Sequence, residues 1–317
     1  MTTVFMFPGQ SSRYPGMLDK LCDLHPANRE LLGWASDLLG RDLRKHYAAE
    51  AAVDPFARNV DVQVGVFLAN HMYLRALEAH DIRAELSLGL SLGEWNHLVH
   101  IGALAFDQAL RAVEQRGRLY DEGPRGWMAA IQPIDEDDLA ALVEQAQEHG
   151  RLEIVNFNSP RQFVIAGEQA AVEFAAEQAE HEHFAQAHVI ERQVPMHSSL
   201  FAPVAERFAE FLTTLEFSPP ERPWLANRLG DFVEAPTQAR FVELLASHVC
   251  QPVLWRQSID AVVAREPDAV FVEVGPMAVL HNLLHRKWHG NRKFRTDDRD
   301  ATSEHFAGLV AGLRTIG

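Results

Sequence analysis

Cysteine is nearly absent from this 317-residue chain. It has two, Cys22 and Cys250, too few for a disulfide framework and in keeping with a reducing compartment. No apolar run approaches the length of a membrane span. The N-terminus, Met1 to Pro8, carries no basic residue and meets a proline too early for a signal peptide. A cytoplasmic protein is therefore expected. Internal repeats and low-complexity tracts are missing too, which argues against solenoid and linker architectures. Basic charge is scarce: 29 Lys and Arg stand against 44 Asp and Glu, a net charge of −15. Nucleic acid is thereby excluded as a general partner, because phosphate binding needs a basic surface.

What is present is apolar content of 47%, enough for one large domain or a large and a small one. The most informative stretch is residues 84–103. An apolar run, Leu86 to Leu90, leads into Gly89-Leu90-Ser91-Leu92-Gly93. Leu92, Trp95, Leu98, Val99 and Ile101 then recur at roughly helical spacing. The pattern predicts strand, tight turn and helix with a serine at the corner, the context of a nucleophile elbow. The flanking glycines are expected to let the backbone turn sharply without a Cβ clash. The serine would stand at a helix N-terminus, where unpaired N–H groups can hold an oxyanion.

Strands alternating with helices in the outer parts of the chain predict an α/β fold with an open, mostly parallel sheet covered on both faces. Val4 to Phe7 is the first strand, and Pro8-Gly9-Gln10 follows it as a turn that exposes a backbone N–H and a side-chain amide. Helices are expected on either side of Pro26, over 60–80, and from Phe106 to Tyr120 with Asp107 as N-cap. Pro124-Arg125-Gly126 marks a break. Strands then alternate with helices in the order βαββαβ, the ferredoxin-like signature. A small domain at 124–196 is thus expected inside a larger one made of 1–123 and 197–317. Beyond it, helices are predicted over 199–215, 238–249, 256–265 and 278–285, and strands at 224–226 and 269–274.

A serine hydroxyl needs a base to take its proton. Of 16 histidines, His197 stands out. It lies just past the last small-domain strand, at a junction where a cleft would form. No carboxylate presents itself as the third member of a triad, and backbone carbonyls can fix the tautomer instead. His181-Glu182-His183 and the His285/His289 pair have ligand-like spacing, but they read as solvated faces, so no metal is expected. Residues 285–299 are locally basic. They read either as a solvated, poorly ordered segment or as a docking patch for an acidic partner.

These residues together resemble the malonyl-CoA:acyl-carrier-protein transacylases of fatty-acid synthesis and the acyltransferases of polyketide synthases. Phe7-Pro8-Gly9-Gln10 is similar to the family's N-terminal motif, and Gly89-Leu90-Ser91-Leu92-Gly93-Glu94 to its Gly-His-Ser-x-Gly-Glu. Gln115-Arg116-Gly117 is similar to its arginine motif. Asn156-Phe157-Asn158-Ser159-Pro160, Val164-Ile165-Ala166-Gly167, His197 and Glu273-Val274-Gly275-Pro276 extend the match nearly end to end. Glu94-Trp95-Asn96 looks most like the stand-alone, trans-acting polyketide enzymes. The resemblance implies an α/β-hydrolase-like large domain with a ferredoxin-like insertion, a monomer, and no bound cofactor. It also implies a ping-pong reaction. Ser91 takes an acyl group from a CoA or carrier thioester, with His197 as base and then acid. A carrier protein's phosphopantetheine thiol then removes the group. The N–H groups of Gln10 and Leu92 would form the oxyanion hole, and Arg116 would clamp a carboxylate on the acyl group.

The chain departs from the family at Leu90, where a histidine is usual, at Met196, at Met277, which replaces a glycine, and at His248, which stands where a pocket-lining glutamine is common. Leu90, Met196 and His248 are expected at the acyl group. The retained Arg116 favours a malonyl-type substrate, and Leu90 favours a bulkier one. Transfer of a larger acyl or aminoacyl group between carriers, or editing hydrolysis, therefore stand as alternatives, and a non-catalytic docking module as a further one. Because carrier proteins are acidic, Arg286, Lys287, Arg292, Lys293 and Arg295 become candidates for carrier docking.

Overall fold

The computed structural model describes residues 1–50, 53–290 and 292–315. Two sheets organise it. The first is parallel, with strands β1 (Thr3–Phe7), β2 (Leu86–Gly89), β9 (Val270–Glu273) and β10 (Lys293–Arg295) in the order β10-β9-β1-β2. The second is antiparallel, with β3 (Trp127–Gln132), β4 (Leu152–Ser159), β5 (Gln162–Gly167) and β6 (Gln186–Glu191) in the order β4-β5-β3-β6. A third, two-stranded ribbon pairs β7 (Trp224–Ala226) with β8 (Asp231–Val233).

The parallel strands read as unbroken apolar runs because both their faces are buried. Phe5 and Phe7 join one core together with Val270 and Val272, while Val4 and Met6 join the opposite core with Leu86, Leu88 and Phe271. The first core is completed by the helices Asn59–Glu78 and Phe106–Glu122. These two pack so closely that a Cβ on Gly117 would sit 2.4 Å from Val60 Cα. The antiparallel sheet buries only one face fully. Ala129, Ile131, Phe163 and Ile165 pack there against helices Glu136–Ala146 and Gln169–His183. The βαββαβ order lies entirely between Trp127 and Glu191.

Three expectations meet corrections. The helix expected to start on Asp107 is capped by Ala105 and begins at Phe106, which places Asp107 in its first turn, favourably for the helix dipole. The basic run at 285–299 contains ordered elements, a short helix Arg286–His289 and the sheet-edge strand β10. A three-residue edge strand with one apolar residue, Phe294, has no period to detect. Its charges are also engaged: Arg292 pairs with Asp268 at 2.7 Å, Arg295 with Asp298 at 2.8 Å, and Lys293 Nζ donates to the His281 carbonyl at 2.7 Å. The final helix, Ser303–Arg314, was not anticipated; Phe306, Leu309, Val310 and Leu313 give it a plain apolar stripe.

Several histidines held neutral by burial make the fold sensitive to acid, His97 among them. His97 is fully buried, sharing a 2.7 Å hydrogen bond with Ser87 Oγ through Nδ1 and accepting from Leu225 N–H at Nε2, 3.1 Å. Burial lowers its pKa to about 3. An unfolded histidine titrates near 6.5, so the neutral ring's contribution is complete above about 6.5. It is lost by about 1.4 kcal/mol per pH unit as pH falls toward 3. Urea unfolding at about pH 7 and pH 5 is expected to show this decline, and His97→Gln to reduce its slope by one proton's worth, the other such histidines keeping theirs; an equal pH slope in the variant contradicts the assignment.

Candidate active site

Ser91 follows the C-terminal end of β2 and precedes helix Gly93–His100. The turn is made by the serine itself, at φ 51°. Neither flanking glycine has positive φ. Their role is close approach: a Cβ on Gly93 would lie 2.0 Å from the Phe7 carbonyl oxygen, and one on Gly89 would lie 2.0 Å from Gly93 C. The elbow is thus pressed against the end of β1. Leu90 N–H donates to the Phe7 carbonyl at 2.9 Å, and Gly93 N–H to the Leu90 carbonyl at 2.9 Å. A left-handed non-glycine residue is costly and persists where its surroundings hold it. Asn227, after β7, does much of that holding. Its Oδ1 accepts from Ser91 N–H at 2.8 Å and its Nδ2 donates to the Gly89 carbonyl at 2.5 Å.

His197 meets the serine. Its Nε2 is 2.8 Å from Ser91 Oγ, and its Nδ1 is 2.6 Å from the His248 carbonyl. A carbonyl only accepts, so Nδ1 carries the proton and Nε2 presents a lone pair to the hydroxyl. His197 also has positive φ, 64°, and its N–H is fixed by the Val249 carbonyl at 3.0 Å. Burial, with the neighbouring His248 and Arg116 adding to it, holds the imidazole well below its ordinary pKa, which keeps it a neutral base.

Arg116 lies beneath this pair. It is 1% exposed, with Nη2 donating to Ser91 Oγ at 3.3 Å and Nη1 to Gln63 Oε1 at 2.9 Å, and its guanidinium lies over the Tyr120 ring at 4.6 Å. Among the described residues no carboxylate forms an ion pair with it. Such a buried, unpaired cation is costly and seldom retained without an anion to meet.

A cavity of about 200 Å³ opens over Ser91 and His197. Gln10 enters it from the end of β1, with Leu90 and Met196 beside the serine and histidine. The open face of the antiparallel sheet forms the opposite wall, through Met128, Asn156, Asn158 and Val164. It thus lies at the carboxyl ends of parallel strands, where open α/β sheets place their ligands. Among the described residues no hydrogen bond from the Gln10 or Leu92 N–H is found, which leaves both donors available beside Ser91. Gln10 Oε1 and Asn158 Oδ1 are buried without a partner.

Of the residues expected at the acyl group, Leu90 and Met196 line the cavity and His248 does not. Its ring is 3% exposed behind His197, stacked on it at 4.8 Å between centroids and 27° between planes. Its backbone carbonyl is taken by His197, which turns the side chain away from the cavity and toward Glu94. Met277 is packed against the first core at φ 67°, a backbone conformation that explains a glycine elsewhere in the family's pattern. The sequence reading missed Asn227 and the sheet wall. A lone asparagine after a strand gives no signal. The wall does leave one: residues 128 and 130, 156 and 158, and 162 and 164 alternate toward one face.

The acyl transferase domain family matches residues 4–309. The chain is 30% identical over 296 residues to the malonyl CoA-acyl carrier protein transacylase of Bacillus subtilis strain 168, covering 92% of this chain and 91% of that protein. It is 29% identical over 289 residues to the polyketide biosynthesis malonyl CoA-acyl carrier protein transacylase PksC of the same organism, covering 89% and 96%. Among solved structures, FabD from Acinetobacter baumannii superposes with a TM-score of 0.90 at 28% identity, over 100% of this chain and 99% of that one. A type II PKS malonyl-transacylase solved in complex with its acyl-carrier protein superposes with a TM-score of 0.85 at 29% identity, over 99% and 100%.

Proposed function

The chain belongs to the acyl transferase domain family, and on that premise we propose that it moves a malonyl group from coenzyme A to the phosphopantetheine thiol of an acyl carrier protein. The observation that carries the malonyl assignment is Arg116, a buried guanidinium without a carboxylate partner, 3.3 Å from the serine oxygen. A malonyl thioester bound with its carbonyl carbon at Ser91 Oγ brings its own carboxylate to that cation, in a charge-assisted pair.

The steps follow from the atoms. His197 Nε2 takes the Ser91 proton as Oγ attacks the thioester carbonyl carbon. The Gln10 and Leu92 N–H groups receive the oxyanion. The C–S bond breaks, His197 returns the proton to the coenzyme A sulfur, and malonyl-Ser91 remains. The carrier thiol then gives its proton to His197 and attacks the ester. The C–O bond breaks and the proton returns to Ser91 Oγ. The unpartnered Gln10 Oε1 and Asn158 Oδ1 suit the amide N–H groups of a pantetheine arm. PksC and the PKS complex favour a place in polyketide synthesis, while the other relatives fit fatty-acid synthesis equally well.

Intact-mass analysis after mixing with malonyl-CoA is expected to show one malonyl adduct, discharged by holo-carrier protein into malonyl-carrier. No adduct with any acyl-CoA or acyl-carrier donor sinks the reading. Discharge to free malonate in the presence of carrier supports the editing hydrolase instead.

For carrier docking, Arg286 and Lys287 are the best placed of the basic residues. They follow Leu283, which lines the cavity, and both are exposed, Lys287 with a long 3.9 Å approach to Asp260, whereas Arg292, Lys293 and Arg295 are held by closer partners. Charge reversal at both is expected to raise KM for the carrier about five- to tenfold and leave labelling by malonyl-CoA unchanged. An unchanged KM removes this surface from the docking site.

A further inference from the structure

Among the described residues, none offers His197 the carboxylate that usually steadies a catalytic imidazolium. Its Nδ1–H goes to a backbone carbonyl, which orients the ring but carries no charge. A buried acid stands behind it: Glu94, three residues past the nucleophile. It is 1% exposed, with Oε2 3.0 Å from His248 Nδ1. His248 in turn presents its ring face to the His197 ring and its carbonyl to the His197 Nδ1–H. Glu94 Oε1 meanwhile receives Asn227 N–H at 3.2 Å and Trp224 Nε1 at 3.3 Å, and Asn227 is the residue that holds Ser91 N–H.

The geometry points to Glu94 and His248 as positioning residues that act through stacking and charge: the pair supplies, from behind His197, the negative charge that a triad acid supplies from its edge. This rests on the reading of Ser91 and His197 as nucleophile and base. His248 stands between the two and passes the field on. A neutral imidazole whose Nδ1 faces a carboxylate has an electron-rich face, and an imidazolium forming 4.8 Å away is stabilised by it.

Protonation decides when the charge is present. Burial pushes the Glu94 carboxyl up to about 8, opposed by its two donors and by Arg116. Burial, Arg116 and Arg228 hold His248 well below its usual range. Tyr120, which lies under the Arg116 guanidinium, is raised by burial to about 12, and Cys250, which acts on Tyr120, is also raised by burial, so both stay neutral. Below the Glu94 titration the pair is neutral and adds nothing. Above it the pair is anionic and favours the His197 cation that forms as Ser91 attacks.

The test is the rate of Ser91 acylation by malonyl-CoA, read by rapid-quench intact mass from about pH 6 to pH 9. Wild type, Glu94→Gln, His248→Gln and the double variant are compared. Glutamine keeps an oxygen for Trp224 and Asn227. The wild-type to Glu94→Gln ratio is expected to be near one at about pH 6 and to reach about tenfold at about pH 9, the equivalent of one pKa unit. In the His248→Gln background the ratio is expected to stay near one throughout. His248→Gln alone, which spares the Trp224 and Asn227 contacts, is expected to lose the same upper rise. A ratio that is the same at every pH, or a His248→Gln profile that keeps the rise, overturns the inference. Labelling of Ser91 by a fluorophosphonate probe is followed in parallel. If the probe reacts with the expected pH dependence and malonyl-CoA does not, the malonyl reading fails and this inference stands.

Discussion

Replacing Ser91 with alanine is expected to abolish the covalent adduct and to lower acyl transfer by roughly 10⁴- to 10⁶-fold, the range that loss of a nucleophile produces in serine enzymes. His197→Ala is expected to fall in the same range. Each side chain is useless alone: Oγ needs the lone pair 2.8 Å away at Nε2, and without Oγ no acyl-enzyme forms for that base to discharge. The double variant should therefore be no slower than either single one. Rapid-quench mass spectrometry with malonyl-CoA measures the first point, and steady-state transfer to carrier the second. An adduct that persists in Ser91→Ala places the nucleophile elsewhere. The fold should tolerate Ser91→Ala well, because it keeps the backbone N–H that Asn227 holds and removes no packing. A left-handed alanine in place of serine adds little strain that the serine does not already bear.

How far the sequence revealed this site depended on whether a residue's role leaves a local pattern. Ser91 was legible because strand, corner and helix are contiguous, and the two glycines beside it are required by close approach, Gly93 to the end of β1 and Gly89 to the backbone of Gly93 and Glu94. Avoidance of a Cβ clash explains those glycines, while the left-handed residue is Ser91. Close approach and positive φ both select glycine, and one sequence cannot separate them. His197 was legible by its position after the last strand of the inserted sheet. Glu94, Asn227 and His248 were not legible as a cluster. They come from a helix N-terminus, a strand end and a helix C-cap, 133 residues apart in the case of Glu94 and Asn227, and only the tertiary fold joins them. The parallel strands were found because continuous apolar runs mark burial on both faces. Strand β10 was hidden for the complementary reason, as its two basic residues satisfy their charges on local partners.

Arg116→Ala is expected to separate the substrates. Transfer of malonyl should fall by about three orders of magnitude, since breaking one side of a buried charge pair costs about 3–5 kcal/mol, and each 1.4 kcal/mol is tenfold. Acetyl or a larger neutral acyl group should be transferred at least as well as by wild type, because the variant no longer buries an unpaired cation beside it. Arg116→Lys should fall between, as an ammonium offers a point charge without the two-pronged geometry. Leu90, Met128, Met196 and Val164 give the cavity apolar walls, and they favour neutral transfer wherever the cation is removed. If wild type instead prefers a neutral acyl donor and Arg116→Ala leaves that preference untouched, the larger-acyl reading replaces the malonyl one. Stability supplies an independent check. Before substrate binds, the guanidinium has no carboxylate within ion-pair distance among the described residues and leans on Gln63 and Tyr120. Its removal should leave the melting temperature unchanged or raise it. A residue kept for packing lowers both stability and activity when truncated. A buried charge kept for its substrate lowers activity alone, and that contrast distinguishes the two roles without knowledge of the donor.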